Sequence, residues 1–264
     1  MKWLLLLLIA FTSHVMGKTF TFGVVPQQSA TRLAQQWTPI TDYLSNATGH
    51  QFVFSTAKDI PTFEEQLRLG SYDIAYMNPY HYTTFSSSPG YKAIAKAKDK
   101  QIHGIIVVRK DSGITSLEQL KDSTLAFPSP AAFAASILTR DHLIKAGVDF
   151  TPNYVSSHDS VYLSVARGFF PAGGGVIRTF KSLDEETRSQ LKPIFQTEGY
   201  TPHAIAVHPR MDVDVLMLVQ QALTELADTK QNQAILDTLK IKGFESATDS
   251  DWQDVRSLNI NLLN

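Results

Sequence analysis

A regular alternation of strand and helix patterns begins at Thr19 and limits the folds open to this sequence. Apolar or alternating runs at residues 19–25, 51–56 and 72–77 are typical of β-strands. The segments between them repeat apolar residues every three or four positions, which indicates amphipathic helices. Strands separated by helices pair in parallel, with helices on both faces of the sheet. The sequence therefore predicts an α/β fold.

Polar side chains follow the first and third of these strands. Gln27, Gln28 and Ser29 come directly after the first strand, and Asn78 and Tyr80 follow the third. In a parallel sheet the ligand crevice lies beyond the carboxyl ends of the strands. These five residues are therefore predicted to lie at one edge of the sheet and to contact a ligand there.

A second α/β unit follows in the middle of the chain. Residues 124–127 and 153–155 have the pattern of strands, and residues 131–146 form a long helical pattern that Gly147 ends. From residue 213 onward the chain has the pattern of a helical tail. Two units without a flexible linker favour two lobes with a cleft that can close on a small molecule.

We expect the chain to cross between the lobes twice, at residues 104–110 and at residues 200–207. Residues 18–105 and 204–264 then form the first lobe, and residues 106–203 form the second. Two crossings of this kind make a hinge.

The N-terminus predicts export from the cell. A lysine, an almost wholly apolar run over residues 4–11 and the small Gly17 describe a signal peptide over residues 1–17. The run is shorter than the roughly 20 residues that span a bilayer, so an uncleaved membrane anchor is the weaker alternative. With cleavage after Gly17, the mature protein is expected on the far side of a membrane.

The composition narrows the class of function. The chain has no cysteine, which excludes a disulfide framework, a thiolate nucleophile and a lipid-modified cysteine. Its formal net charge is −1, whereas a nucleic-acid-binding protein presents a basic face. His203 and His208 lie on a predicted strand at an odd spacing and point to opposite faces, so no metal site is expected. We expect no cofactor, no nucleic-acid partner and a monomer.

Residues 155–168 hold the side chains that most suggest catalysis. Ser157 is the expected N-cap of a short helix, with His158 and Asp159 in its first turn. Neighbours on a helix point about 100° apart, so they cannot bond in series as a Ser-His-Asp triad does. We therefore expect no enzyme and assign His158 and Asp159 to ligand contact at a helix start, which attracts anions. The alternatives are a histidine bonded to backbone and an aspartate that steadies the helix start.

Four groups of residues, taken in order, resemble a known family. They are Phe22-Gly23-Val24-Val25-Pro26, Trp37-Thr38-Pro39-Ile40, Gly70-Ser71-Tyr72-Asp73-Ile74-Ala75 and Ser157-His158-Asp159. Their order and spacing resemble the substrate-binding components of phosphate, phosphite and phosphonate ABC transporters, which are type II periplasmic binding proteins. The resemblance implies a hinged receptor that delivers a small-molecule ligand to an inner-membrane ABC permease. The alternative is a sensory module that feeds a membrane-bound kinase or cyclase.

One segment departs from that family's pattern. The family carries a Ser-Thr-Ser-Gly loop at the start of the long helix in the second lobe, where hydroxyl and amide groups bind the oxyanion. The matching place here is residues 129–136, in which the candidate contacts are Ser129, Ala131, Ala132 and Phe133. A tetrahedral oxyanion requires several hydrogen bonds at once. The loop therefore predicts a ligand with an organic part, or a site that no longer binds the family's ligand.

Two more ligand contacts are expected further along the second unit. Gly174 lies in a run of three glycines, at which backbone can approach a ligand closely. The run lacks the G-x-G-x-x-G spacing of a nucleotide-binding loop. Arg178 is the candidate that neutralises an anion, and the alternative is a residue that only caps the surface.

Overall fold

The structure is a computed structural model that describes residues 17–263. The predicted signal peptide, apart from Gly17, lies outside the described residues. The strands are β1 (Thr19–Val24), β2 (Gln51–Thr56), β3 (Ile74–Met77), β4 (Lys92–Ala97), β5 (Gly104–Arg109), β6 (Ser123–Phe127), β7 (Phe150–Tyr154), β8 (Ala172–Val176), β9 (Leu191–Gln196), β10 (Ala204–Val207) and β11 (Phe244–Ser246).

The helices begin largely where capping residues allow. They are α1 (Ala30–Thr48), α2 (Ile60–Arg68), α3 (Pro79–Phe85), α4 (Thr139–Lys145), α5 (His158–Ala166), α6 (Ile177–Lys181), α7 (Glu185–Gln190), α8 (Val213–Glu225), α9 (Lys230–Leu239) and α10 (Gln253–Arg256), with a π-helical turn at Phe133–Leu138. Ser29, Asp59 and Asn78 each accept a hydrogen bond from the backbone amide three residues on, which fixes the starts of α1, α2 and α3.

The first sheet has the strand order β11-β4-β10-β3-β1-β2. β1 pairs in parallel with β2 and β3, which confirms the prediction from the first three strand patterns. β10 returns from the C-terminal part of the chain and pairs antiparallel with β3 and β4. The sheet is therefore built from both ends of the described chain.

The second sheet has the order β7-β6-β8-β5-β9 and contains a strand that the sequence patterns missed. That strand, β8, includes the three glycines. Atoms of Ala135, Val161 and Tyr162 occupy the positions that a Cβ would take on these glycines. The three glycines have no side chains, so the strand shows no alternating pattern, and the neighbouring layers fill the space beside it.

Residues 98–103 and 197–203 join the two sheets. They pair with each other through the backbones of Ile102 and Tyr200, with N–O distances of 2.9 and 3.1 Å. The sequence placed the first crossing at residues 104–110, whereas β5 lies there, bonded on both sides to β8 and β9. The lobe boundaries at 105/106 and 203/204 stay a prediction.

The apolar cores show how the two halves of the molecule meet. Ile105 and Val107 lie on one face of the second sheet and belong to the core that this face forms with α5 and α6. Ile106 and Val108 lie on the other face and belong to the core on the side of α4. The core of the first sheet extends across the cleft and includes residues 131–135. The start of the helix in the second half is therefore buried against the first half.

Candidate ligand-binding site

Four residues at the carboxyl ends of β1 and β3 form one wall of the cleft. Gln27, Gln28 and Ser29 follow β1, and Asn78 follows β3 as the N-cap of α3. We call these four residues the polar rim; all but Ser29 are buried. β1 and β3 are parallel neighbours, so their carboxyl ends lie side by side, as the sequence predicted.

Gln27 connects the polar rim with the second half of the chain. Its carbonyl accepts a hydrogen bond from the His158 amide at 2.9 Å, and its Oε1 accepts one from the Arg178 guanidinium at 2.8 Å. Its Nε2 lies 2.9 Å from Nε2 of His203, which must be the acceptor because an amide nitrogen only donates. One side chain therefore positions Arg178 from across the cleft.

His158 is buried at the start of α5. Its Nδ1 lies 3.0 Å from Oγ1 of Thr179. Burial lowers the pKa of His158 to about 3, and the positive charge of Arg178 adds to the effect. The ring is therefore uncharged near neutral pH. Ser157 accepts a hydrogen bond from the Ser160 amide at 3.1 Å, which confirms its predicted role as the N-cap.

Asp159 reaches the polar rim rather than the His158 ring. Its Oδ2 accepts a hydrogen bond from the Ser29 amide at 3.1 Å. Its Oδ1 and the Nε2 of Gln28 are buried and have no hydrogen-bond partner within the described part of the chain. Burial raises the pKa of Asp159. Because Asp159 bonds to Ser29 while His158 bonds to Thr179, these residues do not form a triad.

Asn78 links the polar rim to the helix start in the second half. Its Nδ2 donates to the carbonyl of Ala131 at 3.2 Å and lies 3.0 Å from Nε2 of His81. Oε1 of Glu64 lies 2.9 Å from the same histidine nitrogen. Sequence reasoning missed Glu64, because its position in α2 gives no sign that it faces α3.

Residues 131–135, which we call the alanine loop, face the polar rim. Ala131, Ala132 and Phe133 are buried, and the Phe133 ring packs edge-on against Tyr200 with 5.6 Å between centroids. The space enclosed between loop and rim is about 10 Å³, close to the least volume that holds one water molecule. Ser129 adds a buried hydroxyl that has no partner among residues 17–263.

Two of the predicted contacts lie away from this cleft. The Tyr80 hydroxyl accepts hydrogen bonds from the amides of Leu262 and Leu263, at 2.6 and 2.9 Å, and so holds the end of the chain. Gly174 lies inside β8, where the Ala135 carbonyl and the Phe127 ring occupy the space beside its Cα. The group that approaches Gly174 closely is therefore the protein's own backbone.

Arg178 is the half-buried cation of the site. Across residues 17–263, the structure gives its guanidinium a hydrogen bond to Gln27 and no carboxylate within 4 Å. Burial lowers the pKa of His203 well below its usual value, and Arg178 adds to that effect. A cation with neutral neighbours in a partly buried position favours an anionic partner.

Two α/β halves, joined by two crossing segments and facing each other across a cleft, define a type II periplasmic binding protein. The chain belongs to the family of ABC transporter, phosphonate, periplasmic substrate-binding proteins, whose family model matches residues 22–252. Members of this family are substrate-binding components of transporters and are not enzymes. The resemblance seen in the sequence and the prediction that the protein is not an enzyme are therefore confirmed.

Known proteins of this family are similar along most of the chain. The phosphate-import protein PhnD of Mycolicibacterium smegmatis is 21% identical, over 93% of this chain and 86% of that protein. A binding protein component of an ABC phosphonate transporter from Pseudomonas aeruginosa has a TM-score of 0.85 and 18% identity, covering 92% of this chain and 86% of that one. PhnD1 of Prochlorococcus marinus in complex with methylphosphonate has a TM-score of 0.83 and 19% identity, covering 91% and 98%.

Between residues 17 and 263, no helix has both the length and the apolar character needed to cross a membrane. Within the same range, no group of three or more histidine, cysteine, aspartate or glutamate side chains is arranged to hold a metal ion.

Proposed function

We propose that this protein binds a small organic anion between its lobes and delivers it to an ABC permease. The observation that carries the proposal is Arg178, a half-buried cation at the cleft whose polar partner is the neutral Gln27. We further propose that the chain is exported by cleavage after Gly17, that it acts as a monomer, and that residues 98–103 and 197–203 serve as the hinge.

The helix start in the alanine loop supplies a second feature suited to an anion. The first hydrogen bond of this helix runs from the Ser136 amide to the Ala132 carbonyl at 2.8 Å. The amides of Phe133, Ala134 and Ala135 precede it and have no partner within the helix. These residues line the small space between loop and rim. Helix starts bind anions through such amides.

The alanine loop also supports an organic part in the ligand. The relatives named above include a phosphate importer and a protein bound to methylphosphonate. Phosphate offers four oxygens that require hydrogen bonds, whereas the methyl groups of Ala131 and Ala132 and the Phe133 ring offer none. An apolar substituent would contact these side chains and retain its hydrophobic stabilisation. We therefore favour an organic phosphonate over phosphate.

Ligand entry requires the lobes to separate. The enclosed space of about 10 Å³ is far below the roughly 300 Å³ of a small-molecule pocket. Hydrogen bonds that now cross the cleft include those from His158 and Arg178 to Gln27, from Ser29 to Asp159 and from Asn78 to Ala131. In the bound state a ligand would take over part of this bonding. The cost of breaking these bonds is then offset by new ones to the anion.

Titration calorimetry of the mature protein tests the proposal. We expect heat with methylphosphonate, weaker binding of phosphate and phosphite, and a loss of affinity of about 10- to 100-fold in Arg178→Gln, because a charge-assisted hydrogen bond contributes about 1.5–3 kcal/mol.

The matched control for that experiment is Arg167→Gln, which removes the same charge from an exposed position on the second half of the chain. The control should bind methylphosphonate like the unchanged protein. Absence of heat with all three anions would contradict the proposal, and so would an Arg178→Gln variant that keeps full affinity.

A further inference from the structure

A groove of about 760 Å³ opens beside the crossing segments. The rings of Tyr76 and His203, stacked with 4.8 Å between centroids, contribute to its wall, as does Arg178. Gln27 separates the groove from the small space behind the alanine loop, because it lines that space and bonds to both His203 and Arg178. Pockets of roughly 300–1,000 Å³ hold ligands much larger than methylphosphonate.

The charges that line the groove are predominantly positive. Lys100, Lys181 and Lys240 line it together with Arg178, and in the described part of the chain none of these four lies within 4 Å of a carboxylate. Its two acidic residues are already paired with other lysines: Asp99 with Lys242 at 3.6 Å, and Glu245 with Lys96 at 2.9 Å. Those ion pairs leave the lysine and arginine side chains of the groove to attract anions.

Arg178 lines the groove beside Gln27, the residue that separates it from the small space. Its guanidinium is bonded to Gln27, which faces the small space, and it also lines the groove. An anionic group that meets Arg178 therefore lies at the inner end of a groove whose outer part carries three exposed lysines. A ligand with a single anionic group leaves those lysines unused.

We propose that the groove binds the body and outer anionic group of an extended organic anion, whose inner anionic group meets Arg178. This inference rests on the proposed function and specifies its ligand class, namely organic anions with two separated negatively charged groups. Arg178 receives the first group, and Lys100, Lys181 and Lys240 receive the second. The aromatic wall of Tyr76 and His203 packs against the carbon skeleton between the two groups.

Two sugar phosphates that differ by one remote phosphate provide the test. Calorimetry with the mature protein compares fructose 6-phosphate with fructose 1,6-bisphosphate in one buffer of moderate ionic strength. We expect the bisphosphate to bind about tenfold more tightly, since two or three exposed ion pairs together supply an effect of that size. In the double variant Lys181→Gln, Lys240→Gln, this preference should disappear.

The double variant Lys58→Gln, Lys121→Gln is the matched control. It removes two exposed lysines that lie outside the groove and that have no carboxylate within 4 Å among residues 17–263. The control should retain the tenfold preference. If both double variants reduce the preference equally, the effect is general charge attraction and the groove proposal is wrong.

The remaining outcomes separate the two proposals. Equal affinity for the two sugar phosphates, with methylphosphonate bound and dependent on Arg178, overturns the groove and retains the proposed function. Tight binding of the bisphosphate alone, lost with the two groove lysines, supports the groove and overturns the small-anion site. Binding of none of the three probes overturns both.

Discussion

The polar rim and the alanine loop face each other across the cleft and are built in opposite ways. In the rim, Gln27 and Asn78 use side-chain amides to bond to the second half of the chain. In the loop, Ala131 and Ala132 present methyl groups, and Phe133 presents a ring. The bond that Asn78 donates to Ala131 is received by a backbone carbonyl.

This difference separates two tasks of the cleft: bonding between the two halves of the chain and recognition of a ligand. A backbone partner, such as the Ala131 carbonyl that accepts from Asn78 or the His158 amide that donates to the Gln27 carbonyl, tolerates any side chain on its own residue. Recognition of an oxyanion by hydroxyl groups does not. The alanine loop can therefore carry methyl groups in place of hydroxyls while the backbone bonds across the cleft stay the same, which allows ligand choice to change without a change of fold.

Replacement of the loop's ring should have the largest effect. Phe133 is 1% exposed and belongs to the core of the first sheet. We expect Phe133→Ala to lower the free energy of unfolding by about 3–5 kcal/mol, because it removes a buried ring and leaves a cavity. Urea unfolding followed by tryptophan fluorescence measures the loss.

Phe169→Ala is the control for that substitution, since Phe169 is 72% exposed. Its cost should stay below about 0.5 kcal/mol. A cost for Phe133→Ala as small as that of Phe169→Ala would mean that the ring is not part of the core, and the contrast between loop and rim would lose its basis.

A smaller effect is expected from the buried histidine beside the rim. Burial keeps the pKa of His158 at about 3 in the folded protein, against about 6.5 in an unfolded chain. At a pH below the pKa of the unfolded chain, the histidine takes up a proton in the unfolded chain but not in the folded protein. The contribution of His158 to the free energy of unfolding is therefore complete above the pKa of the unfolded chain. It is lost as the pH falls towards the pKa of the folded protein. Between pH 8 and 5 the loss is about 2 kcal/mol.

Urea unfolding of His158→Gln at both pH values isolates the pH-dependent part of the free energy of unfolding that comes from His158. The variant should lose about 2 kcal/mol less than the unchanged protein between the two pH values. Thr179→Ala, which removes the hydroxyl at 3.0 Å but keeps the imidazole, should retain the full loss, because burial is the main cause. Identical pH curves for His158→Gln and the unchanged protein would show that the ring is not protected from water.

The sequence predicted most of the first sheet because its strands alternate with strongly periodic helices. It placed Gln27, Ser29 and Asn78 at one edge, since the carboxyl ends of parallel strands meet there. The start of α5 could also be predicted, because Ser157 is a capping residue followed by an acidic first turn.

Other features depended on contacts that no local pattern records. β8 was missed because glycines carry no side-chain periodicity, and its place is set by Ala135 and Tyr162 from other elements. Tyr80 follows β3 as expected, yet its hydroxyl bonds to backbone near the end of the chain. A sequence position shows which edge a residue occupies, whereas only packing decides what its side chain meets.

Two serines offer the most sensitive comparison of rim and loop. Ser157 beside the rim caps α5, whereas the Ser129 hydroxyl beside the loop is buried and lacks a partner within the described residues. We expect Ser157→Ala to cost about 1 kcal/mol, the usual price of a lost N-cap. Ser129→Ala should cost nothing or add a few tenths of a kcal/mol, because it removes an unpaired buried polar group. Thermal unfolding of the two variants side by side measures the difference. A clear loss of stability in Ser129→Ala would reveal a partner for that hydroxyl, and the loop would then retain one polar contact of the kind that binds an oxyanion.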